Sequence, residues 1–379
     1  MQICKFIRRR CSSRSQSERG AHWSAARGLG WQFGSCGGHC LGVAQFAQIQ
    51  GGLMMQGSKI RPEVSFFPAP LPDELLDSIV YRYHFLSGNQ HSRDTVQTLY
   101  GAAVNTAPKL LINRMTTLHS RLPRKLFASP EVMIAELTMV PAFGTVLDQR
   151  QMQTAHSASL HGGRLGQNVQ YRSATRVMHA ALHCCPMCVR EETERLGVAY
   201  WHRSHQLDGV AVCHAHGCNL ISSCPYCDEP ISPPGSMKLP STHCSACKKP
   251  LLAVFSSNKA VAEIARLGHQ ALTGVIPYCD RRWLGDQVTR LVGTDTQRVC
   301  DEILGIFGEA YLEDVLPHSF YTFSGDWIDH AFRVRKTWVG YERGFLNLPS
   351  LKHMMVLVHF LFGSWEKVCP PSTAKQMVA

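Results

Sequence analysis

Four pairs of metal-type ligands, each pair separated by two residues, constrain this chain more than any other feature of its sequence. In order, they are Cys185 with Cys188, Cys213 with His216, Cys224 with Cys227, and Cys244 with Cys247. Two pairs of this kind can turn their side chains toward one point and surround a zinc ion tetrahedrally. The spacing therefore predicts two structural Zn²⁺ sites: a first with three Cys and one His, and a second of zinc-ribbon type with four Cys.

Other uses of paired cysteines fit this pattern less well. Disulfide frameworks are typical of secreted chains, whereas we expect this one to work in a reducing compartment. A redox Cys-x-x-Cys usually stands alone beside a βαβ pattern, but nine of the sixteen cysteines here lie within residues 184–247. This clustering favours metal binding.

Catalysis is not expected from these sites. Each set supplies four protein donors, whereas a catalytic zinc keeps one position open for water. The sequence has no His-Glu-x-x-His, no His-x-Glu of the zinc deaminases, no Gly-x-Ser-x-Gly and no Walker A motif. The carboxylates of Glu191, Glu192 and Glu194 are expected on a solvated helix face. The sequence thus predicts a non-enzymatic protein, with a zinc-dependent nucleic-acid enzyme as the alternative.

The segment before the cysteines has a helical apolar pattern. Its spacing predicts one helix that begins at Pro72 and ends at Gly88. A second helix, capped by Ser92, is predicted to end at Gly101. Two short amphipathic helices joined by a tight loop indicate a helix-turn-helix, although many helical hairpins of this kind never touch DNA.

Further helices are predicted on both sides of the cysteine-rich region. Ser129, followed by Pro and Glu, starts a helix that is expected to stop at Pro141. The polar segment 151–176 is predicted to be a loop or linker, because it is rich in Gly and lacks an apolar period. From residue 258 onward, the apolar spacing is again helical.

These patterns predict a mainly α-helical protein with small zinc-stabilised β and loop modules. The predicted regions are a disordered leader or misassigned start (1–57), an N-terminal helical, helix-turn-helix domain with linker (58–180), tandem zinc fingers (181–255) and a C-terminal helical domain (256–379). The misassigned start is considered because Met54-Met55 stands just before the first organised segment.

The net charge gives little information about partners once it is counted separately for residues 1–60 and for the rest of the chain. The formal net charge is +11, but residues 1–60 hold eight basic residues and one acid, which leaves only +4 for the rest. No run of 18 apolar residues occurs, so an integral membrane protein is not expected.

Candidate DNA contacts lie in the N-terminal helices. Arg93 and Gln97, on the second helix of the pair, could reach the edge of a groove. A basic stretch suited to phosphates follows, with Arg114, Arg121, Arg124 and Lys125. The alternative for each is a solvated side chain on a helix face.

Several motifs occur in a fixed order along the chain. They are the run from Phe66 to Leu76, Leu137-Thr138-Met139-Val140-Pro141, Cys185-Pro186-Met187-Cys188, the run from Tyr200 to Leu207, Val212-Cys213-His214-Ala215-His216, and Cys224-Pro225-Tyr226-Cys227. Together they resemble the TniQ/TnsD family of transposition target-selection proteins, roughly over residues 64–255.

The resemblance implies a bacterial, cytoplasmic and nucleoid-associated adaptor. Proteins of this family carry a helix-turn-helix domain and zinc fingers, and the eight ligands named above match the family's zinc ligands. They mark an insertion site by reading DNA or by docking on an RNA-guided complex, and then recruit an AAA+ ATPase regulator that engages the transposase. Such an adaptor could also form a homodimer. A zinc-finger transcription regulator would have the same parts and remains an alternative.

Overall fold

The computed structural model divides the chain into two units, Met1–Ser58 and Lys59–Ala379. Within the second unit, the structure describes residues 64–101, 114–123, 126–145, 147, 149–162, 179, 181–233, 235–273, 287, 290–291, 296–308, 311 and 351–368. The predicted leader and two of the candidate DNA contacts, Arg124 and Lys125, lie outside these residues.

Helices dominate the described part of the chain. They are α1 (Leu76–Ser87), α2 (Ser92–Tyr100), α3 (Met115–Arg121), α4 (Pro130–Leu137), α5 (Val140–Phe143), α6 (Gln149–His161), α7 (Pro186–Leu196), α8 (Lys259–Leu272), α9 (Thr296–Phe307) and α10 (Leu351–Leu357). A short 3₁₀ turn occurs at Ser204–Gln206, and α10 continues as a π-helical turn, Val358–Phe362. Extended pairing in the described ranges is limited to isolated β-bridges.

Helices α1 to α6 pack into one helical layer before the cysteine-rich region. Helix α3 contacts α2, α4 and α6, and α1 contacts α2. The side chains of Ile79, Leu99 and Met115 are fully buried between them. Gly88 and Gly101 end α1 and α2 as predicted, each in the left-handed conformation with φ of 71° and 73°.

Two predicted helix starts are wrong by a few residues. Helix α1 begins at Leu76 rather than at Pro72, because Asp73 adopts a left-handed φ of 55° and Glu74 forms a β-bridge with His202. Ser92 is the first residue of α2 and does not cap it; His91 occupies the cap position.

The region after α3 also departs from the prediction. Ser129 caps α4 as expected, its hydroxyl accepting a bond of 3.3 Å from the Val132 amide. The helix ends earlier than predicted, however, and Pro141 lies in the first turn of the separate helix α5. The segment predicted to be a loop from residue 151 begins as helix α6.

Helix α8 joins the C-terminal helices to the cysteine-rich region. Asn258 caps it by accepting bonds from the amides of Ala260 and Val261. The helix contacts α5, α9, α10 and the 3₁₀ turn. At Gly268 the packing is close: a Cβ there would lie 2.8 Å from Val210 and 3.0 Å from Leu207. The segment that contains Leu207 and Val210, between Cys188 and Cys213, therefore packs directly against this helix. In the described part of the chain, no helix has the length and apolar character needed to cross a membrane.

Candidate metal centres

The first predicted ligand set comes together in space. The Nδ1 atom of His216 lies 3.7, 3.3 and 3.6 Å from the Sγ atoms of Cys185, Cys188 and Cys213. The sulfurs of Cys188 and Cys213 are 3.7 Å apart. A tetrahedral zinc ion with ordinary bond lengths requires separations of about 3.8 Å between sulfurs and about 3.5 Å between sulfur and nitrogen. The cluster could therefore hold a metal ion of this kind.

Local backbone structure sets these four side chains. Cys185 stands at the cap position of α7 and Pro186 is its first helical residue, so Cys188 follows within the first turn. Cys213 opens a tight turn, in which Gly217 adopts a left-handed φ of 62° and donates its amide to the Cys213 carbonyl. A β-bridge between Cys184 and Ile221 joins the two halves of the site.

Two side chains that are not themselves ligands contact ligands of the first set. Glu191 accepts a hydrogen bond of 3.2 Å from Nε2 of His216, which leaves the Nδ1 lone pair directed at the cysteines. Buried His205 lies with Nε2 3.4 Å from the Cys213 sulfur. Hydrogen bonds from the Cys185 and Cys188 thiols hold the pKa of Cys213 well below its usual range, and His205 lowers it further. A thiolate, the form that binds metal, is thereby favoured.

The second predicted set also converges, through two matching turns. Cys224 lies 3.7 Å from Cys247, and Cys227 lies 3.7 Å from Cys244, measured between sulfurs. These distances again match the edges of a tetrahedron around zinc. A hydrogen bond from the Cys247 backbone lowers the pKa of Cys244 to about 6, which favours the thiolate at neutral pH.

The two turns of this second module, the segment 224–250, have the same backbone structure. The residue after each second cysteine is left-handed, Asp228 with φ of 56° and Lys248 with φ of 62°. Each donates its amide to the carbonyl of the first cysteine of its pair, at 2.9 and 3.1 Å. This repeat explains why two Cys-x-x-Cys pairs face one another.

Burial distinguishes the two clusters. In the first cluster, the three cysteines are buried and His216 is half-buried. In the second, Cys227 is exposed and Cys247 is half-buried. The first cluster thus belongs to the core, whereas the second lies at the surface.

A buried charged network, which no motif in the sequence predicts, adjoins the first cluster. Asp73 accepts bonds from the amide and the hydroxyl of Ser204, at 3.1 and 2.5 Å. Its carboxylate also lies 3.4 Å from Nε of Arg203 and 3.7 Å from Nδ1 of His202. Because Asp73 and Ser204 are more than 100 residues apart, the network ties the start of the helical layer to the cysteine-rich region.

Glu192 completes this network and corrects one expectation. It was predicted on a solvated face, but it is 5% exposed and accepts hydrogen bonds from His202 and from the Tyr200 amide. Burial alone would lower the pKa of His202, but hydrogen bonds to Asp73 and Glu192 raise it to about 9. Cys188, Glu192 and His202 form a further group close enough to hold a metal. It shares Cys188 with the first cluster, so it is not a separate site.

Trp201 joins the helical layer to the second module. Its side chain is fully buried, its amide donates to the Ser78 hydroxyl at 3.0 Å, and its indole donates to the Lys238 carbonyl at 2.8 Å. Gln206 clamps the chain at His183, accepting from its amide and donating to its carbonyl. Trp201 therefore connects elements that lie far apart in the sequence.

The candidate DNA contacts fall into different environments. Arg93 and Gln97 are exposed, one turn apart, on the same face of α2. Arg114 is exposed at the start of α3. Arg121 donates to the Thr98 carbonyl at 2.9 Å, so it ties α3 to α2. Of the four candidates that the structure describes, Arg93, Gln97 and Arg114 are exposed and Arg121 is half-buried.

The fold and the site define a mainly helical protein built around two clusters that could each hold a metal ion. The family model TniQ matches residues 65–220, and this match supports a TniQ family protein. The resemblance seen in the sequence is confirmed over these residues. The match includes the first cluster, while the second lies just beyond it. No curated protein matches the chain.

Proposed function

We propose that this protein is a non-enzymatic adaptor that selects the target site for DNA transposition in a bacterial cell. The observation that carries the proposal is the TniQ match over residues 65–220, because this family is associated with transposition machinery. In this role, the protein binds the insertion site, directly or through an RNA-guided complex. It then recruits an AAA+ ATPase regulator that engages the transposase.

The proposed metal is zinc, one ion in each cluster, with a structural role. The donor set of three or four sulfurs suits zinc, and the separations fit its tetrahedral geometry. All four positions around each ion would be taken by protein donors, so the metal would serve folding and not chemistry. In the second module, which buries little apolar surface, the ion would replace a core.

Direct DNA reading would use α1 and α2 as a helix-turn-helix. Helix α2 presents Arg93 and Gln97 on an exposed face, and both side chains are long enough to reach base edges from a major groove. Arg114 would contact a phosphate nearby. Arg121, which donates to the Thr98 carbonyl, would offer the rest of its guanidinium to a phosphate.

The proposal is tested by reconstituting transposition with the AAA+ regulator and transposase of the same element. The full-length protein should direct insertion to a defined site, and omitting it should abolish that preference. Arg93→Gln with Gln97→Ala should randomise insertion or reduce it at least tenfold if α2 reads DNA. Arg195→Gln, an exposed arginine at the end of α7, is the matched control and should behave as the parent protein. Unchanged site choice without the protein would overturn the proposal.

A further inference from the structure

A group of basic and aromatic side chains projects from the second module. We call it the basic edge; it consists of Lys238, Lys248, Lys249 and Tyr226, all of them exposed. None of the three lysines forms an ion pair with a carboxylate in the described part of the chain. Their charges are therefore available to a partner.

The ammonium groups gather around the ends of the two metal-binding turns. Nζ of Lys248 donates to the Ser245 carbonyl at 2.6 Å, and Nζ of Lys238 lies 3.5 Å from the hydroxyl of the same serine. Nζ of Lys249 lies 4.8 Å from the centre of the Tyr226 ring. Lys238 and Lys248 thus meet at Ser245 of the second turn, and Lys249 lies beside Tyr226 of the first turn.

The backbones of these lysines are held rigidly. The amide of Lys248, a residue in the left-handed region, donates a hydrogen bond to the Cys244 carbonyl. The Lys249 carbonyl accepts a hydrogen bond of 2.9 Å from the Cys244 amide. The Lys238 carbonyl accepts from the indole of buried Trp201. A surface whose backbone is ordered in advance loses less conformational entropy when it binds a partner.

The two metal-binding turns carry charges of opposite sign at equivalent positions. Asp228 occupies, on the first turn, the position that Lys248 occupies on the second, and it is also exposed. The repeated backbone therefore carries opposite charges at its two equivalent places. The second turn, with Lys248 and Lys249, therefore carries the positive charge that an anionic partner would seek.

We propose that the basic edge binds the phosphate backbone of double-stranded DNA next to the sequence read by α2. Lysine ammonium groups bind phosphates as point charges, and such contacts position a protein without reading sequence. The exposed Tyr226 hydroxyl adds a donor of the kind that contacts phosphates. The choice of duplex DNA rests on the proposed function, and the contact itself is separate from α2.

The test uses the full-length, metal-loaded protein and a fluorescein-labelled DNA duplex. Binding is followed by anisotropy between about 50 and 200 mM salt, where each phosphate contact contributes about 0.9 to the slope of log K against log salt. Lys248→Gln with Lys249→Gln should reduce this slope by about 1.8, so that the fourfold change in salt weakens binding about 12-fold less than in the parent. Sequence preference should stay unchanged.

Control variants separate the contact from general charge and from folding. Lys259→Gln with Lys367→Gln removes the same charge from exposed lysines outside the second module and should keep the parent slope. Two bound metal ions per chain in the lysine variant show that the module is intact. Tyr226→Phe, which keeps the ring and removes the hydroxyl, should weaken DNA binding about threefold.

The outcomes distinguish this proposal from the proposed function. A parent slope in the Lys248 and Lys249 variant overturns the basic edge, whatever α2 does. Loss of binding to the AAA+ regulator with unchanged DNA binding would assign the edge to an acidic protein surface and also overturn it. If the parent protein has no affinity for any duplex, the edge proposal fails, while docking on an RNA-guided complex survives.

Discussion

Replacing Asp73 by Asn tests the claim that a buried charged network holds the helical layer to the first metal cluster. The carboxylate lies 3.4 Å from Arg203 and accepts two bonds from Ser204. Asn is nearly the same size, tolerates the left-handed φ of 55°, and can still accept a bond from Ser204. The change therefore removes the charge and little else.

The expected loss of stability depends on the hydrogen-bond partners that Arg203 keeps after the substitution. Removing one partner of a buried ion pair costs about 3–5 kcal/mol, and losing a hydrogen bond to a charged group costs about 1.5–3 kcal/mol. Arg203 keeps its bonds to the Ala135 and Thr138 carbonyls, so its charge is not left without partners. We therefore expect Asp73→Asn to lower the free energy of unfolding by about 2–3 kcal/mol.

Urea denaturation followed by circular dichroism measures this change, and the chain offers a matched control. Asp228 is also left-handed, with φ of 56°, but it is exposed. Asp228→Asn makes the same chemical change and should shift the unfolding free energy by less than about 0.5 kcal/mol. Equal effects of the two substitutions would refute the reasoning, because burial and charge partners would then be irrelevant.

Three further predictions concern the surroundings of the clusters. The pKa of His202 is raised to about 9 in the folded protein, so the stability that its positive charge contributes should be complete below about pH 6.5 and lost as the pH rises through 9. Unfolding free energies measured at graded pH test this, and a profile that is flat between these values would contradict it. Glu191→Ala should weaken metal binding at the first cluster about 10- to 100-fold in a competition with a chromogenic chelator, whereas Glu194→Ala, on the same helix, should leave it unchanged. Trp201→Phe removes the indole donor to Lys238 and should lower the unfolding free energy by about 1–2 kcal/mol; an unchanged denaturation midpoint would count against the tie between the helical layer and the second module.

Local signals in the sequence predicted much of the secondary structure. Gly88 and Gly101 end their helices because a left-handed cap suits glycine, and Ser129 caps α4 through its hydroxyl. The ligand spacing predicted which side chains would meet, because a pair separated by two residues can close only on a partner pair nearby. These features depend on neighbours in the chain.

Long-range contacts could not be predicted from single positions. Asp73 appeared to belong to a first helical turn, and only its pairing with Ser204 explains why the chain bends there. Glu192 resembles its exposed neighbours in sequence, yet it faces His202. A polar composition likewise concealed α6, whose buried Ala155 is small and carries little apolar signal. In each case, tertiary partners decided the outcome.

Two separate four-donor metal sites in one chain are the central feature proposed for this protein. Elemental analysis of the purified full-length protein, combined with zinc X-ray absorption, measures both the number of ions and their donors. We expect two Zn²⁺ ions per chain, coordinated by seven sulfurs and one nitrogen in total. One ion or none, or oxygen donors from water in the coordination shell, would contradict the assignment of sealed structural sites.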